Sequence, residues 1–353
     1  MSAKKIAIYG AGSIGTITGA YLSQAYGKDH VTLIDAWQEN VDTLNEKGAH
    51  IIGATDLTVP VHAVTPNDVD GQYDVILLHT KQGFNGTVLP AIKKILSPDG
   101  TLISLQNGVP ERNILKIFDA KNVIAGSVEF GGTGHGPGVS ELTTEFDAFK
   151  KSAFQIGEID GKLTDRIEMI QEILSNVGGT TISDNLMGTK WTKLLINASF
   201  SGLSAAANTT YGGILASDVG IKSALHIINE ALTAGHADQI RFAPMNGVDF
   251  NQLFSLKGAD FTQKQIDYLR EIMKPWASLK ASMLQDLEHH RKTEINEING
   301  LIVETAKEHQ LTTPYNDLIV EIVTEAQDTD TLPNFDETMI RFSKLLTNKP
   351  ILS

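Results

Sequence analysis

At 353 residues the chain is long enough for two domains and a sizeable core. Its composition is that of an ordinary globular protein, and a formal charge of −13 argues against nucleic acid or an anionic membrane surface as partner. The absence of cysteine excludes disulfides, thiolate catalysis and cysteine-ligated zinc, while a small anionic substrate in a locally positive pocket stays open.

The first apolar run is too short for the h-region of a signal peptide. No run approaches the roughly 18 residues of a membrane span. A cytoplasmic protein with no membrane association is therefore expected. The chain opens on a strand, KKIAIY, that leads into Gly10, Ala11, Gly12, Ser13, Ile14 and Gly15 and then into a helical pattern. Alone, G-x-G-x-x-G is a weak signal; a strand before it and a helix after it give it meaning. Gly10 permits the tight turn, Gly12 lets a pyrophosphate approach the backbone, and Gly15 lets helix and strand pack closely. The helix N-terminus offers unpaired N–H groups and the positive end of a dipole to the phosphates.

The second strand, HVTLID, ends in Asp35, where an acid can accept hydrogen bonds from the adenosine ribose hydroxyls. A 2′-phosphate there would meet a like charge at roughly 4 Å, costing on the order of several kcal/mol. Ala36, Trp37 and Gln38 bring no cation to offset it. The bland alternative is a turn aspartate with no ligand. The pattern favours NAD(H) and leaves NADP(H) open.

Further strands, DVILLH (74–79), GTLISL (100–105) and NVIAGS (122–127), alternate with helical stretches such as GTVLPAIKKIL. Such alternation predicts an α/β fold with a doubly wound parallel sheet whose ligands bind beyond the carboxyl ends of the strands. That topology brings Lys81 and Asn107 toward the cofactor. A solvated loop lysine and turn chemistry before Gly108 are the competing readings. GGTGHGPG (131–138) reads as a flexible loop, and the 139–159 stretch as two strands at an antiparallel edge. The dinucleotide-binding domain is expected over residues 1–184.

From Leu186 onward strand patterns give way to helical periodicity, so residues 185–353 are expected to form an all-helical domain. In WTKLLINASFSG (191–202), Leu194, Leu195, Ile196 and Phe200 recur at helical spacing. Lys193, Asn197 and Ser201, four apart, then share one stripe. After Lys193 that stripe carries only short, uncharged hydrogen-bonding groups. Farther on, Glu294 lies on a helical stripe with Ile298, Leu301, Ile302 and Thr305, in what reads as a helix's first turn. An acid on an apolar stripe is costly unless paired, although a salt bridge or a frayed helix end would also explain it. A nicotinamide site needs a proton donor for the substrate oxygen. A lysine facing a carbonyl can hydrogen-bond it, polarise it and deliver the proton, which makes Lys193 the candidate acid with Glu294 beside it. Asp286, His290 and Glu294 align at i, i+4, i+8, but no further close ligand accompanies them, and no metal is expected.

Together these segments resemble the ketopantoate reductase (2-dehydropantoate 2-reductase) family. IAIYGAGSIG, HTKQ, LQNGV, WTKLLIN, SMLQD and TEINEINGLI follow in that family's order over nearly the whole chain, and the last three are far more specific than the glycine motif. The resemblance implies Lys193 as catalytic acid/base with Glu294 as its partner. It implies Asn197 and Ser282 as substrate ligands, with Ser282 reaching the carboxylate. Asn107 would lie between nicotinamide and substrate, and Lys81 near the cofactor ribose.

The sequence departs from the family pattern at five points. Ser201 replaces a second asparagine, so a substrate contact differs there; Asn296 replaces the usual Asp; and the 243–276 stretch and the tail after about 328 are longer than typical. Asp35 stands where NADP(H)-using members carry a basic residue. In this it is similar to NADH-using relatives that reduce branched or aromatic 2-oxo acids to D-2-hydroxy acids. The expected activity is reduction of a small 2-oxo acid, 2-dehydropantoate of pantothenate biosynthesis or a branched or aromatic relative, to the D-(R)-2-hydroxy acid. The resemblance leaves room for a homodimer. A non-catalytic NAD-sensing or scaffold protein and a Rossmann methyltransferase are the rival readings, and neither gives Lys193 and Glu294 a role.

Overall fold

The computed structural model describes residues 4–245, 247–256 and 260–347. The chain divides into two compact units, Met1–Met187 and Gly188–Ser353.

In the first unit the strands are β1 (Ile6–Tyr9), β2 (Val31–Ile34), β3 (Ala49–Gly53), β4 (Leu57–Val59), β5 (His62–Val64) and β6 (Tyr73–Leu78), followed by β7 (Leu96–Ser104), β8 (Val123–Val128), β9 (Gly132–Gly134), β10 (Val139–Leu142), β11 (Phe154–Glu158) and β12 (Thr180–Ile182). The main sheet runs β12-β11-β8-β7-β6-β1-β2-β5. From β5 to β8 every pairing is parallel, whereas β11 joins β8 antiparallel. Within that order the six strands β5-β2-β1-β6-β7-β8 form the Rossmann arrangement, with the strand order reversing between β1 and β6. Helices on both faces explain why whole strands are apolar. Ile6 and Ile8 pack into one core with Ile17, Leu33, Val75 and Leu77, while Ala7 and Tyr9 pack into the other with Ile34, Ile76, Leu78 and Leu89.

A second, four-stranded sheet, β4-β3-β10-β9, was not foreseen. It corrects two expectations. The 131–138 stretch contains β9 rather than a plain loop, and β10 pairs with β3 and β9 instead of edging the main sheet. The helix Phe146–Lys151 separates β10 from β11, which alone forms the antiparallel join. Gly132 allows β9 to lie on the first helix, since a Cβ there would come 3.0 Å from Ile14 Cδ1 and 3.0 Å from Ile17 Cδ1.

Apart from one bridge between Met245 and Val248, the regular secondary structure among the described residues of the second unit is all helical. Its longest helix, Asp218–Ala237, buries Ile221, Leu225, Ile228 and Leu232 and is capped by Ser217, whose hydroxyl accepts from the Gly220 N–H. Pro314 opens the Pro314–Thr329 helix, where its missing N–H costs nothing. The Phe335–Thr347 helix forms most of the C-terminal extension, whose residues 348–353 lie outside the described residues. No described helix is long and apolar enough to cross a membrane.

The continuous helix expected over 191–202 is interrupted. The α-helix Leu186–Ile196 passes into a π-helical turn, Asn197–Gly202, before resuming as Leu203–Ala206. Glu294 likewise lies ahead of its helix, which starts at Asn299. Its carbonyl accepts from the Ile298 N–H at 3.0 Å, carrying helical spacing back by one turn. The helix Ser282–Glu288 ends before His290, whose φ is +55°, so Asp286, His290 and Glu294 do not share a helix face.

Candidate active site

In the first unit Gly10, Asp35, Lys81 and Asn107 follow the carboxyl ends of β1, β2, β6 and β7. Gly10 has φ +101°, and a Cβ on it would meet the Thr80 nitrogen at 2.7 Å. A Cβ on Gly15 would strike the Gly10 carbonyl oxygen at 1.9 Å. These two glycines are fixed by close packing. Gly12 is different: nothing lies within 4 Å of where its Cβ would point. It is also the N-cap of the helix Ser13–Tyr26, which has no side-chain cap and no acid in its first turn. A helix start of this kind is suited to an anion, so a pyrophosphate fits on Gly12, Ser13 and Ile14.

Asp35 is half-buried and its Oδ1 accepts from the Trp37 N–H at 2.8 Å. Burial raises this carboxyl above the usual range, against the N–H of Trp37, the Asn40 amide and the Ala11 N–H, which lower it. Trp37 itself is 48% exposed beside the acid. Asn40 was missed by the sequence reading. It donates to the Ala11 carbonyl at 3.0 Å and accepts from the Gly138 N–H at 2.8 Å, tying the glycine turn to the small sheet.

A buried amide cluster, also missed, holds the loops after β6 and β7. Gln106 Nε2 donates to the Thr80 carbonyl at 2.7 Å and to Asn85 Oδ1 at 2.8 Å, and Gln82 Nε2 donates to the Asn107 carbonyl. These bonds fix the backbone on either side of Lys81 and under the exposed Asn107 side chain. Gln82, Gln106 and Asn85 lie in the segments KQGFN and LQNG, so the only available signal was amide residues clustered at strand ends.

In the second unit Lys193 is half-buried among Trp191, Thr192, Leu194 and Leu195, all fully buried. Asn197 begins the π-helical turn and Ser201 lies inside it. The Ser201 hydroxyl pairs with the Tyr211 hydroxyl at 2.7 Å, and the Tyr211 ring lies 5.3 Å from Phe200. Burial raises the Tyr211 phenol above its ordinary value, with the bond to Ser201 acting the other way. Ser282 is exposed on the first turn of its helix, and Glu294 is half-buried between the buried Thr293 and Ile295.

Residues 6–160 match the family described as ketopantoate reductase PanE/ApbA, and residues 185–327 match its C-terminal counterpart. The chain belongs to the ketopantoate reductase family. Among its relatives, a 2-dehydropantoate 2-reductase from Pyrococcus horikoshii is 29% identical, over 90% of this chain and 96% of its own length. Another from Streptococcus pyogenes is 25% identical, over 90% of this chain and 95% of its own. Two solved structures share the fold at 24% identity, each over 92% of this chain and 99% of its own. One is a D-mandelate dehydrogenase with NADH and anilino(oxo)acetate, at a TM-score of 0.76; the other is a family member from Ralstonia eutropha, at 0.77. The fold class expected from the sequence is the one this family has.

Proposed function

We propose that the chain is an NADH-dependent 2-oxo acid reductase that makes a D-(R)-2-hydroxy acid. The observation that carries the reading is the open approach to Gly12 at an uncapped helix N-terminus, with the Asp35 carboxylate at the end of the next strand. Gly12, Ser13 and Ile14 would hold the pyrophosphate, Asp35 the adenosine ribose, Lys81 the second ribose, and Asn107 the nicotinamide side. Asp35 repels a 2′-phosphate and so favours NADH over NADPH.

Bound NADH supplies the hydride that reduces the substrate's 2-carbon. Lys193 hydrogen-bonds the keto oxygen, gives it a proton as negative charge develops there, and regains a proton from solvent. Glu294 orients the amine. Asn197 and Ser201 contact the keto acid, and Ser282 binds its carboxylate. A homodimer and a cytoplasmic location belong to the same reading; a ketopantoate reductase from Staphylococcus aureus is described as dimeric.

The test is steady-state turnover of ketopantoate, 2-oxoisocaproate and phenylglyoxylate, each with NADH and with NADPH, in wild type and Lys193→Ala. Oxidation of NADH by at least one acid is expected, with kcat falling about 100-fold or more in the variant. Wild-type turnover in Lys193→Ala removes the assignment of the acid, and oxidation of NADPH alone removes the role of Asp35.

A further inference from the structure

The π-helical turn is contacted by a buried chain of side chains within its own unit. Asn299, fully buried at the start of its helix, donates from Nδ2 to the Ala198 carbonyl at 3.2 Å and to Asn316 Oδ1 at 2.9 Å. Its Oδ1 has no hydrogen-bond partner and lies against Gly202, where a Cβ would come within 2.2 Å of it. One amide therefore touches the turn at its second residue and at its last. A side chain that inserts at the i→i−4 ladder is a recognised source of local helix distortion.

Asn299 is held in turn from behind. Asn316, also fully buried, donates from Nδ2 to Glu230 Oε2 at 2.7 Å and to the Ile227 carbonyl at 3.4 Å. Glu230 also accepts from the backbone N–H of Asn316 at 2.9 Å and from that of Tyr315 at 2.9 Å, and so caps the first turn of the Pro314–Thr329 helix. Burial raises the Glu230 carboxyl to about 8, with the three N–H donors acting against the shift. The orientation of the Asn316 amide is set by an acceptor on one side and a donor on the other, and it dictates which way Asn299 faces. Turning either amide over would set oxygen against oxygen at Ala198, Asn316 or Glu230, so one arrangement is favoured.

We propose that Glu230, Asn316 and Asn299 are positioning residues: through the Ala198 carbonyl and Gly202 they hold the π-helical turn, and with it Asn197 and Ser201, in the register the 2-oxo acid needs. None of the three contacts substrate in this assignment. It rests on the reading above in one respect, that Asn197 and Ser201 face the substrate. A π turn inserted after Lys193 rotates Ser201 away from the stripe an unbroken α-helix would give it. The relay thus decides how these side chains are displayed together.

The experiment combines amide hydrogen exchange with kinetics on the full chain, for Asn299→Ala and for Glu230→Gln. The second variant keeps the side chain's shape while replacing one acceptor oxygen by a donor, and so serves if the first does not fold. Faster exchange confined to residues 197–202 is expected in both. For the 2-oxo acid, KM should rise about 10-fold in Asn299→Ala and about 3-fold in Glu230→Gln, with kcat and the Kd for NADH changed by no more than about 2-fold. Unchanged exchange at 197–202 in the folded variants overturns the relay. Faster exchange with an unchanged KM overturns its link to substrate. Asn197→Ala separates this proposal from the functional reading: an unchanged KM there removes the substrate role of Asn197, while the exchange data still decide whether the relay holds the turn.

Discussion

Two turns carry the groups expected to bind ligands, and they are built in opposite ways. The Gly10–Gly15 turn is made by backbone packing, with glycines where β1, the chain after β6 and the first helix come too close for a side chain. The Asn197–Gly202 turn is made by distant chain, through an asparagine about a hundred positions later that is itself steered from Asn316 and Glu230. Each unit also holds a buried polar atom without a hydrogen-bond partner, His79 Nε2 in the first, whose backbone lies beside Gly10, and Asn299 Oδ1 in the second. The contrast teaches that a backbone-built site depends on what is left out of the sequence. A relay-built site depends on side chains that have no pattern of their own.

The comparison breaks most sharply at Gly15. A Cβ 1.9 Å from the Gly10 carbonyl cannot be absorbed by a side-chain movement, and Gly15→Ala should cost about 3 kcal/mol or more, measured by urea unfolding. Gly202→Ala tests the other turn. Its Cβ meets the end of an amide tethered by two hydrogen bonds, so a loss of about 2 kcal/mol is expected, together with faster exchange at 197–202. Gly12→Ala separates binding from folding: with open space around the new Cβ, the melting temperature should hold while NADH affinity falls about 10-fold, or about 1.4 kcal/mol. A Gly12→Ala variant that binds NADH normally would contradict the phosphate site.

The smallest effect concerns His79. Burial holds this imidazole down to about 3, from an ordinary value of 6.5. The unfolded chain therefore takes up the proton first. The contribution to stability is full above pH 6.5 and is lost as pH falls from there toward 3. At pH 5.5 the loss is about 1.4 kcal/mol. Unfolding of His79→Phe should lack this component between pH 6.5 and 5.5, and an identical pH profile in the variant would refute it.

The glycine turn, Asp35 at a strand end and the parallel, doubly wound character of the sheet were legible because each rests on local patterns. Glycine spacing, an acid at a strand end and uninterrupted apolar runs declare themselves within a few residues. The helical character of the second unit was legible for the same reason, from Leu194, Leu195 and Phe200 at helical spacing. The small sheet was not, because β3 and β10 are short, lie far apart in the chain and find each other only when both pack on the first helix. Asn40 and Gln106 were not, because a buried amide and a surface amide are the same letter.

The sequence by itself determined the family and the division into an α/β part and a helical part. Local periodicity and steric exclusion operate over a few residues and survive being read one segment at a time. The tertiary structure alone decided that the helix after Lys193 widens at Asn197, that Glu294 stands ahead of its helix, and that the Ser201 hydroxyl pairs with that of Tyr211. The first involves a hydrogen bond from Asn299, about a hundred positions later, and the last a bond to Tyr211 in the next helix but one. Which donor meets which acceptor is settled only when the chain has closed around them.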